Sequence, residues 1–137
     1  MILVDTSVWI HVLRDKSGRT VQAFHKKTAS ETIVFSHFIQ LELLQGAKDD
    51  FEWRRLDEYL ASQYYLEANE DIWRHAARIY FELRRSGVTI SSPIDCCIAC
   101  IAMEAQALLL HRDHDFERIA EIRPLLNEFF NPVYPPD

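Results

Sequence analysis

Short apolar runs that stop at polar capping residues, each followed by a segment of helical period, recur along this chain and leave few folds open to it. Ile2-Leu3-Val4 ends at Asp5-Thr6-Ser7, three residues that each favour a helix N-cap. Val8 to Leu13 reads as a first helix. Gly18 separates it from a second, about Arg19 to Thr28, with Val21, Phe24 and His25 on its inner side. Ile33-Val34-Phe35 is the second apolar run. From Ser36 the residues Phe38, Leu41, Leu44 and Gln45 recur at three-to-four spacing until Gly46, and Asp50 to Ala61 follows with Leu56, Tyr59 and Leu60 as its apolar side. Tyr64-Tyr65-Leu66 reads as a third strand. Asn69 then caps a long helix, Glu70 to Ser86, whose Ile72, Ala76, Ile79, Tyr80 and Leu83 share a face. Ser92-Pro93-Ile94-Asp95 leads into an apolar helix from Cys96 to about Glu104, Ala107 to Leu110 is a fourth strand, and Phe116 to Ile122 closes as a short helix.

Strands that alternate with helices specify a parallel sheet covered on both faces, because each right-handed crossover needs a helix to return the chain. The expectation is an α/β fold, three layers α/β/α around a central parallel sheet of about four strands, as one domain over residues 1–137. A hydrophobic content of 48% with only 3 Gly and 5 Pro supports a real core and excludes a disordered or low-complexity chain. The tail from Pro124, with Leu125, Leu126, Phe129, Phe130, Val133 and Tyr134, is too apolar to stand in water and is expected to pack on this chain or on a partner.

Ligands of open parallel sheets bind at the carboxyl ends of the strands, here the residues after Val4, Phe35, Leu66 and Leu110. Asp5 follows the first strand, Asp113 and Asp115 follow the last, and Asp95 heads the helix that feeds it. Glu42 lies inside the helix after the second strand, and helical side chains lean toward the N-terminus, which aims it back at the same edge. Asp5, Asp95 and Asp115 also read simply as helix N-caps. Glu42 does not, since Phe38-Ile39-Gln40-Leu41-Glu42-Leu43-Leu44 is almost wholly apolar and a carboxylate there needs a cation. No Lys or Arg occurs between Glu31 and Gln45 or before Arg14. A hard divalent ion with oxygen ligands, Mg²⁺ or Mn²⁺, is the economical partner, and such ions imply phosphate chemistry.

The formal charge is −6, from 21 acids against 15 bases, which argues against a protein that holds nucleic acid by bulk attraction. Setting aside Asp5, Glu42, Asp95 and Asp113 leaves −2, and setting aside Asp115 as well leaves −1, so most of the net acidity can be one cation pocket. Cys96, Cys97 and Cys100 fall within one apolar helix and read as small buried hydrophobes rather than a disulfide framework or a zinc site. No apolar run approaches the roughly 18 to 20 residues that span a bilayer, and Asp5 interrupts the first ten residues where a signal peptide is uncharged. The chain reads as cytoplasmic, with no membrane partner.

Val4-Asp5-Thr6-Ser7-Val8-Trp9, Glu42-Leu43-Leu44-Gln45-Gly46, Asp95 with Ile98-Ala99, and Leu110-His111-Arg112-Asp113-His114-Asp115-Phe116 together resemble PIN-domain ribonucleases, and more narrowly the VapC toxins of bacterial type II toxin–antitoxin pairs. The resemblance covers about the whole chain. It implies a PIN-like fold and a metal-dependent endoribonuclease in which Asp5, Glu42, Asp95 and Asp113 are catalytic and hold Mg²⁺, or Mn²⁺ in its place, with Asp115 as a fifth, secondary ligand. It also implies cleavage to a 3′-hydroxyl and a 5′-phosphate, a VapB-like antitoxin whose segment lies over the pocket, a toxin homodimer and a toxin–antitoxin hetero-oligomer. Many relatives carry Thr where this chain has His111. That residue and His114 read either as structural or as contacts to RNA phosphate. Thr6, Ser7 and Arg112 are substrate-contact candidates, with Arg14, Lys16 and Arg19, or Arg74, Arg78 and Arg85 along one helix face, as further cations. Trp9, Phe51, Trp53 and Tyr59 suit either an antitoxin groove or the core.

Two other function classes fit parts of the pattern. A receiver-like signalling domain also gathers acids around Mg²⁺, but it needs two adjacent acids after the first strand and a Lys after a late one, where this chain has Asp5-Thr6 and His111. A housekeeping PIN nuclease of RNA processing, or a catalytically silent PIN fold that only binds RNA or protein, shares every motif above.

Overall fold

Among the described residues eleven elements alternate much as the apolar pattern requires: β1 (Ile2–Val4), α1 (Thr6–Leu13), α2 (Arg19–Thr28), β2 (Ile33–Val34), α3 (His37–Gln45), α4 (Asp50–Ala61), α5 (Ile72–Arg85), α6 (Pro93–Ala105), β3 (Leu108–His111), α7 (Asp115–Ala120) and β4 (Asn127–Phe129). The computed structural model describes residues 1–132, so the expectation for Val133 and Tyr134 lies outside the described residues. The strands pair in the order β2-β1-β3-β4, all parallel, with Ile2 opposite both Ile33 and Leu108 and with Leu109 opposite Asn127. Ile2, Leu3, Val4, Leu109 and Leu110 are wholly buried, as strands covered on both faces must be. The helix contacts fall into two groups, α1 with α2 and α3 and α3 with α4, then α5 with α6 and α6 with α7, which form the two outer layers. Among the described residues no helix is long and apolar enough to cross a membrane.

Several local expectations change in the structure. Tyr64-Tyr65-Leu66 is not a strand. Only Tyr65 pairs, in a single parallel bridge with Phe35, because the edge strand β2 is two residues long and offers nothing further to join. The expected strand Ala107–Leu110 is β3, and the sheet's fourth member is Asn127–Phe129, three half-buried residues without alternation that pair with β3 because the buried Leu125 and Phe130 anchor them on either side. Helix α3 buries Ile39 and Leu43 fully, with Phe38 and Leu44 half-buried against the core, whereas Leu41, 53% exposed, and Gln45 face solvent. Its near-continuous apolar run does not define one face. On α2 the buried residues are Thr20, Phe24 and Thr28, while His25 is exposed. Tyr59 of α4 is 46% exposed and only Leu60 is buried there. Asp5 caps α1, but Asp95 and Asp115 are not caps: Ser92 caps α6 with Pro93 at its first position, and Asp115 is itself the first residue of α7.

Candidate active site

The ends of the central strands carry the acids. Asp5 continues the ladder past β1, its amide donating to the Leu110 carbonyl at 2.9 Å, so its side chain emerges at the carboxyl edge of the sheet. Its Oδ2 accepts from the Ser7 amide at 3.0 Å and the Ser7 hydroxyl at 2.6 Å. The same hydroxyl oxygen accepts from the Arg112 amide at 2.9 Å, tying the end of β1 to the end of β3. Thr6 Oγ1 donates to Glu42 Oε1 at 3.2 Å, which fixes α3 against α1 and orients a half-buried carboxylate. Beyond β3, Asp113 Oδ1 accepts from the Asp115 amide at 2.9 Å. Asp115 Oδ2 accepts from both the amide and the hydroxyl of Ser91, at 3.0 and 2.9 Å, and its Oδ1 pairs with Arg118 at 3.0 Å. Ser91 precedes the cap of α6, so Asp115 holds the turn that delivers Asp95 in the first helical turn.

One oxygen each from Asp95, Asp113 and Asp115 lies within 4.8 Å of the others. Asp95 is 9% exposed, and burial, then the charges of Asp5, Asp113, Glu42 and Asp115, push its carboxyl up to about 7. That dependence places all five acids in one electrostatic neighbourhood. Burial also raises Asp5, against the Ser7 hydrogen bonds and with help from Asp113, and it raises Glu42 with help from Asp5 against the Thr6 hydrogen bond. The donor set is hard oxygen throughout, which fits a divalent cation of the Mg²⁺ or Mn²⁺ kind and not a thiolate or imidazole metal. Burial pushes the Cys96 thiol up to about 12 and Cys100 up to about 11, so neither supplies a thiolate.

Arg112 and the two histidines beside the site direct their side chains to partners other than the acidic carboxylates of the cluster. The Arg112 guanidinium donates to the Phe130 carbonyl at 2.6 Å and lies 5.3 Å over the Phe129 ring. His111 is wholly buried, its Nδ1 accepts from the Asp113 amide at 3.2 Å and its Nε2 meets Asn127 Oδ1 at 2.9 Å. Those partners require a neutral ring with the proton on Nε2. His114 is exposed, bonds Glu117 at 2.9 Å and stacks on Phe129. Ser91 and Asn127 are contributors that the sequence pattern does not reveal, although Ser92-Pro93 is a helix-start signal that points to the same turn.

Beside Glu42, α1, α3 and α4 enclose a groove of about 800 Å³ whose lining includes Trp9, Leu13, Phe51, Leu56 and Tyr59, with Arg14, Lys48 and Arg55 among the polar residues. Trp9 is buried against Phe35, ring centroids 5.3 Å apart, and its Nε1 has no hydrogen-bond partner. Trp53 is 43% exposed and is not part of the lining.

The chain is similar to known proteins along most of its length. The family model described as PIN domain matches residues 2–122. The chain is 35% identical over 128 residues to a VapC ribonuclease of Mycobacterium bovis, covering 91% of this chain and 96% of that protein. Ribonuclease VapC11 of Mycobacterium tuberculosis matches at the same identity and coverage. Among solved structures, VapBC2 from Rickettsia felis bound to a promoter DNA fragment superposes with a TM-score of 0.75 at 20% identity, covering 96% of this chain and all of that one. VapBC-1 from Haemophilus influenzae gives 0.73 at 22% identity over 93% of this chain and 97% of that one.

Proposed function

The chain belongs to the PIN-domain family, and from that membership we propose that it is a metal-dependent endoribonuclease acting in the cytoplasm as the toxin of a toxin–antitoxin pair. The observation that carries the reading is the cluster of Asp95, Asp113 and Asp115, whose oxygens lie within 4.8 Å of one another; burial first, and then the charges of the neighbouring acids, push Asp95 up to about 7, an arrangement that is unfavourable without a cation. Asp5, Glu42, Asp95 and Asp113 are the catalytic ligands in this reading, with Asp115 both a ligand candidate and the brace of the Ser91 turn. A Mg²⁺ or Mn²⁺ ion held there would supply charge neutralisation at a phosphodiester and assistance to in-line attack by water. The chain supplies orientation. Ser7 holds the Asp5 carboxylate and Thr6 holds Glu42, so both acids are fixed before substrate arrives. The expected products are a 3′-hydroxyl and a 5′-phosphate.

The partner in this reading is a VapB-like antitoxin, as in the VapBC complexes that share the fold. The groove beside Glu42 suits its segment: apolar along α1 and α4, with Arg14, Lys48 and Arg55 available for acidic residues of the partner. We extend the reading to a homodimer of the 16.1 kDa chain in solution, which light scattering of the antitoxin-free protein reads directly.

The test incubates purified, antitoxin-free protein with total RNA, with Mg²⁺ or Mn²⁺ and with chelator. Cleavage that needs the metal and is abolished in Asp5→Asn and Asp95→Asn is the expected result, and cleavage persisting in chelator or in either variant overturns it. Growth arrest on expression, relieved by a co-expressed antitoxin, separates a toxin from a housekeeping nuclease.

A further inference from the structure

Helix α5 carries a row of side chains that the acidic site does not use. Its inner face, Ile72, Ala76, Ile79 and Leu83, is buried, while Arg74, Arg78 and Arg85 are exposed with the half-buried Phe81 among them. Positions 74, 78, 81 and 85 follow the helical repeat and form one row about 16 Å long. The guanidinium carbons of Arg78 and Arg85 lie 5.0 and 5.6 Å from the Phe81 ring centroid. Glu82 is the one acid in this helix and Arg84 its fourth arginine. That carboxylate is shared by Arg78 at 3.4 Å and Arg123 at 2.5 Å. Among the described residues Arg74, Arg84 and Arg85 have no carboxylate partner, and Glu70 and Asp71 form no ion pair with the row. In a chain of net charge −6 this is a concentrated positive face made wholly of arginine.

We propose that this row is a docking face for single-stranded RNA outside the acidic cluster, an inference that rests on the ribonuclease reading. Arginine forks match phosphate oxygens, and guanidinium planes stacked with an aromatic ring give unpaired bases a surface to lie on. The placement suits substrate delivery. Helix α5 packs on α6, which bears Asp95, and the turn after it is pinned to Asp115 through Ser91. At its other end Trp73 meets Phe38 of α3, ring centroids 5.8 Å apart, one turn before Glu42. A strand held on α5 is therefore bound by an element that touches two carriers of the acids. It does so without drawing on Arg112 or Arg118, whose guanidiniums are committed to Phe130 and Asp115.

The test measures binding of a fluorescein-labelled, unstructured RNA of about 20 nucleotides to the full chain carrying Asp5→Asn, by anisotropy at rising NaCl. Replacing Arg74, Arg78 and Arg85 together by Gln is expected to weaken binding about tenfold or more at 0.1 M salt and to flatten the slope of log Kd against log salt by about 2, near 0.7 per lost phosphate contact. The same three positions changed to Lys keep the slope, and circular dichroism reports whether each variant keeps the helix. In the chain with Asp5 intact, the Gln variant is expected to raise KM for the long RNA with little change in kcat and to leave cleavage of a tetranucleotide unaffected. An unchanged slope in the Gln variant overturns the docking face, as does equal loss on long and short substrates or equal affinity for duplex DNA. RNA binding that depends on the row in a chain that fails to cleave with Mg²⁺ or Mn²⁺ overturns the nuclease reading and leaves the docking face standing, so the two failures are distinguishable.

Discussion

The protonated form of Asp95 is favoured in the folded chain up to about pH 7, whereas the unfolded chain releases that proton near pH 4. Between those values the native state binds the extra proton, so the stability of the metal-free protein falls as pH rises through the window. Asp5 and Glu42, raised by the same burial, act in the same direction. In chelator, the melting temperature is expected to decline from pH 5 to pH 8. Asp95→Asn should flatten that decline and raise the melting temperature at pH 8 while abolishing cleavage; a wild-type melting temperature that climbs with pH would count against the buried-acid account. Millimolar Mn²⁺ should recover the wild type and leave the Asn variant nearly unmoved. His111 gives a second residue-scale prediction. Truncation to Ala strands the Asp113 amide and the Asn127 carboxamide around a cavity, an expected cost of about 3 kcal/mol in urea unfolding. Long-range ¹H–¹⁵N spectra should find the ring neutral with its proton on Nε2, and a proton on Nδ1 would contradict the hydrogen bond from Asp113. The acids were legible in the sequence because each follows a strand or sits in an apolar helix where a charge is costly. Ser91 and Asn127 were not, because their partners lie 24 and 16 residues away and only the folded chain brings them together.

At the scale of elements, α6 delivers Asp95 because its first turn is fixed twice, by the Ser92 cap and by the Ser91–Asp115 bonds. Ser92→Ala is expected to cost about 1 kcal/mol in denaturant unfolding, and Ser91→Ala to lower Mn²⁺ affinity in a calorimetric titration more than Ser92→Ala does. Equal affinities in both variants would mean that Asp115 does not steer the turn. Helix periodicity was the most legible signal: α2 and α4 fall where spacing and caps place them. The failures have physical causes. Pairing, not propensity, decides strands this short: Tyr64-Tyr65-Leu66 makes a single bridge on the β2 side of the sheet, while Asn127–Phe129 pairs along β3 on the opposite edge. The Phe38–Leu44 run satisfies several helical faces at once, and tertiary contacts select Ile39 and Leu43.

For the whole molecule, the groove meets the acidic site at Glu42, which lines it, while Asp95, Asp113 and Asp115 lie outside its lining, so in the proposed reading an antitoxin segment there reaches the site from one side. Phe51→Asp, at a side chain 69% exposed, should leave melting temperature and RNA cleavage unchanged and weaken neutralisation by the antitoxin, read as residual cleavage in an equimolar mixture. Loss of cleavage in the free variant would place Phe51 in the active site instead. The strand order has its own consequence. β1 pairs with β3 residue for residue from Ile2 and Leu108 onward, and Asp113 follows only after that pairing. A ribosome making this chain therefore extrudes the first acid long before the last, and the nascent polypeptide has no assembled centre for nearly the whole of its synthesis.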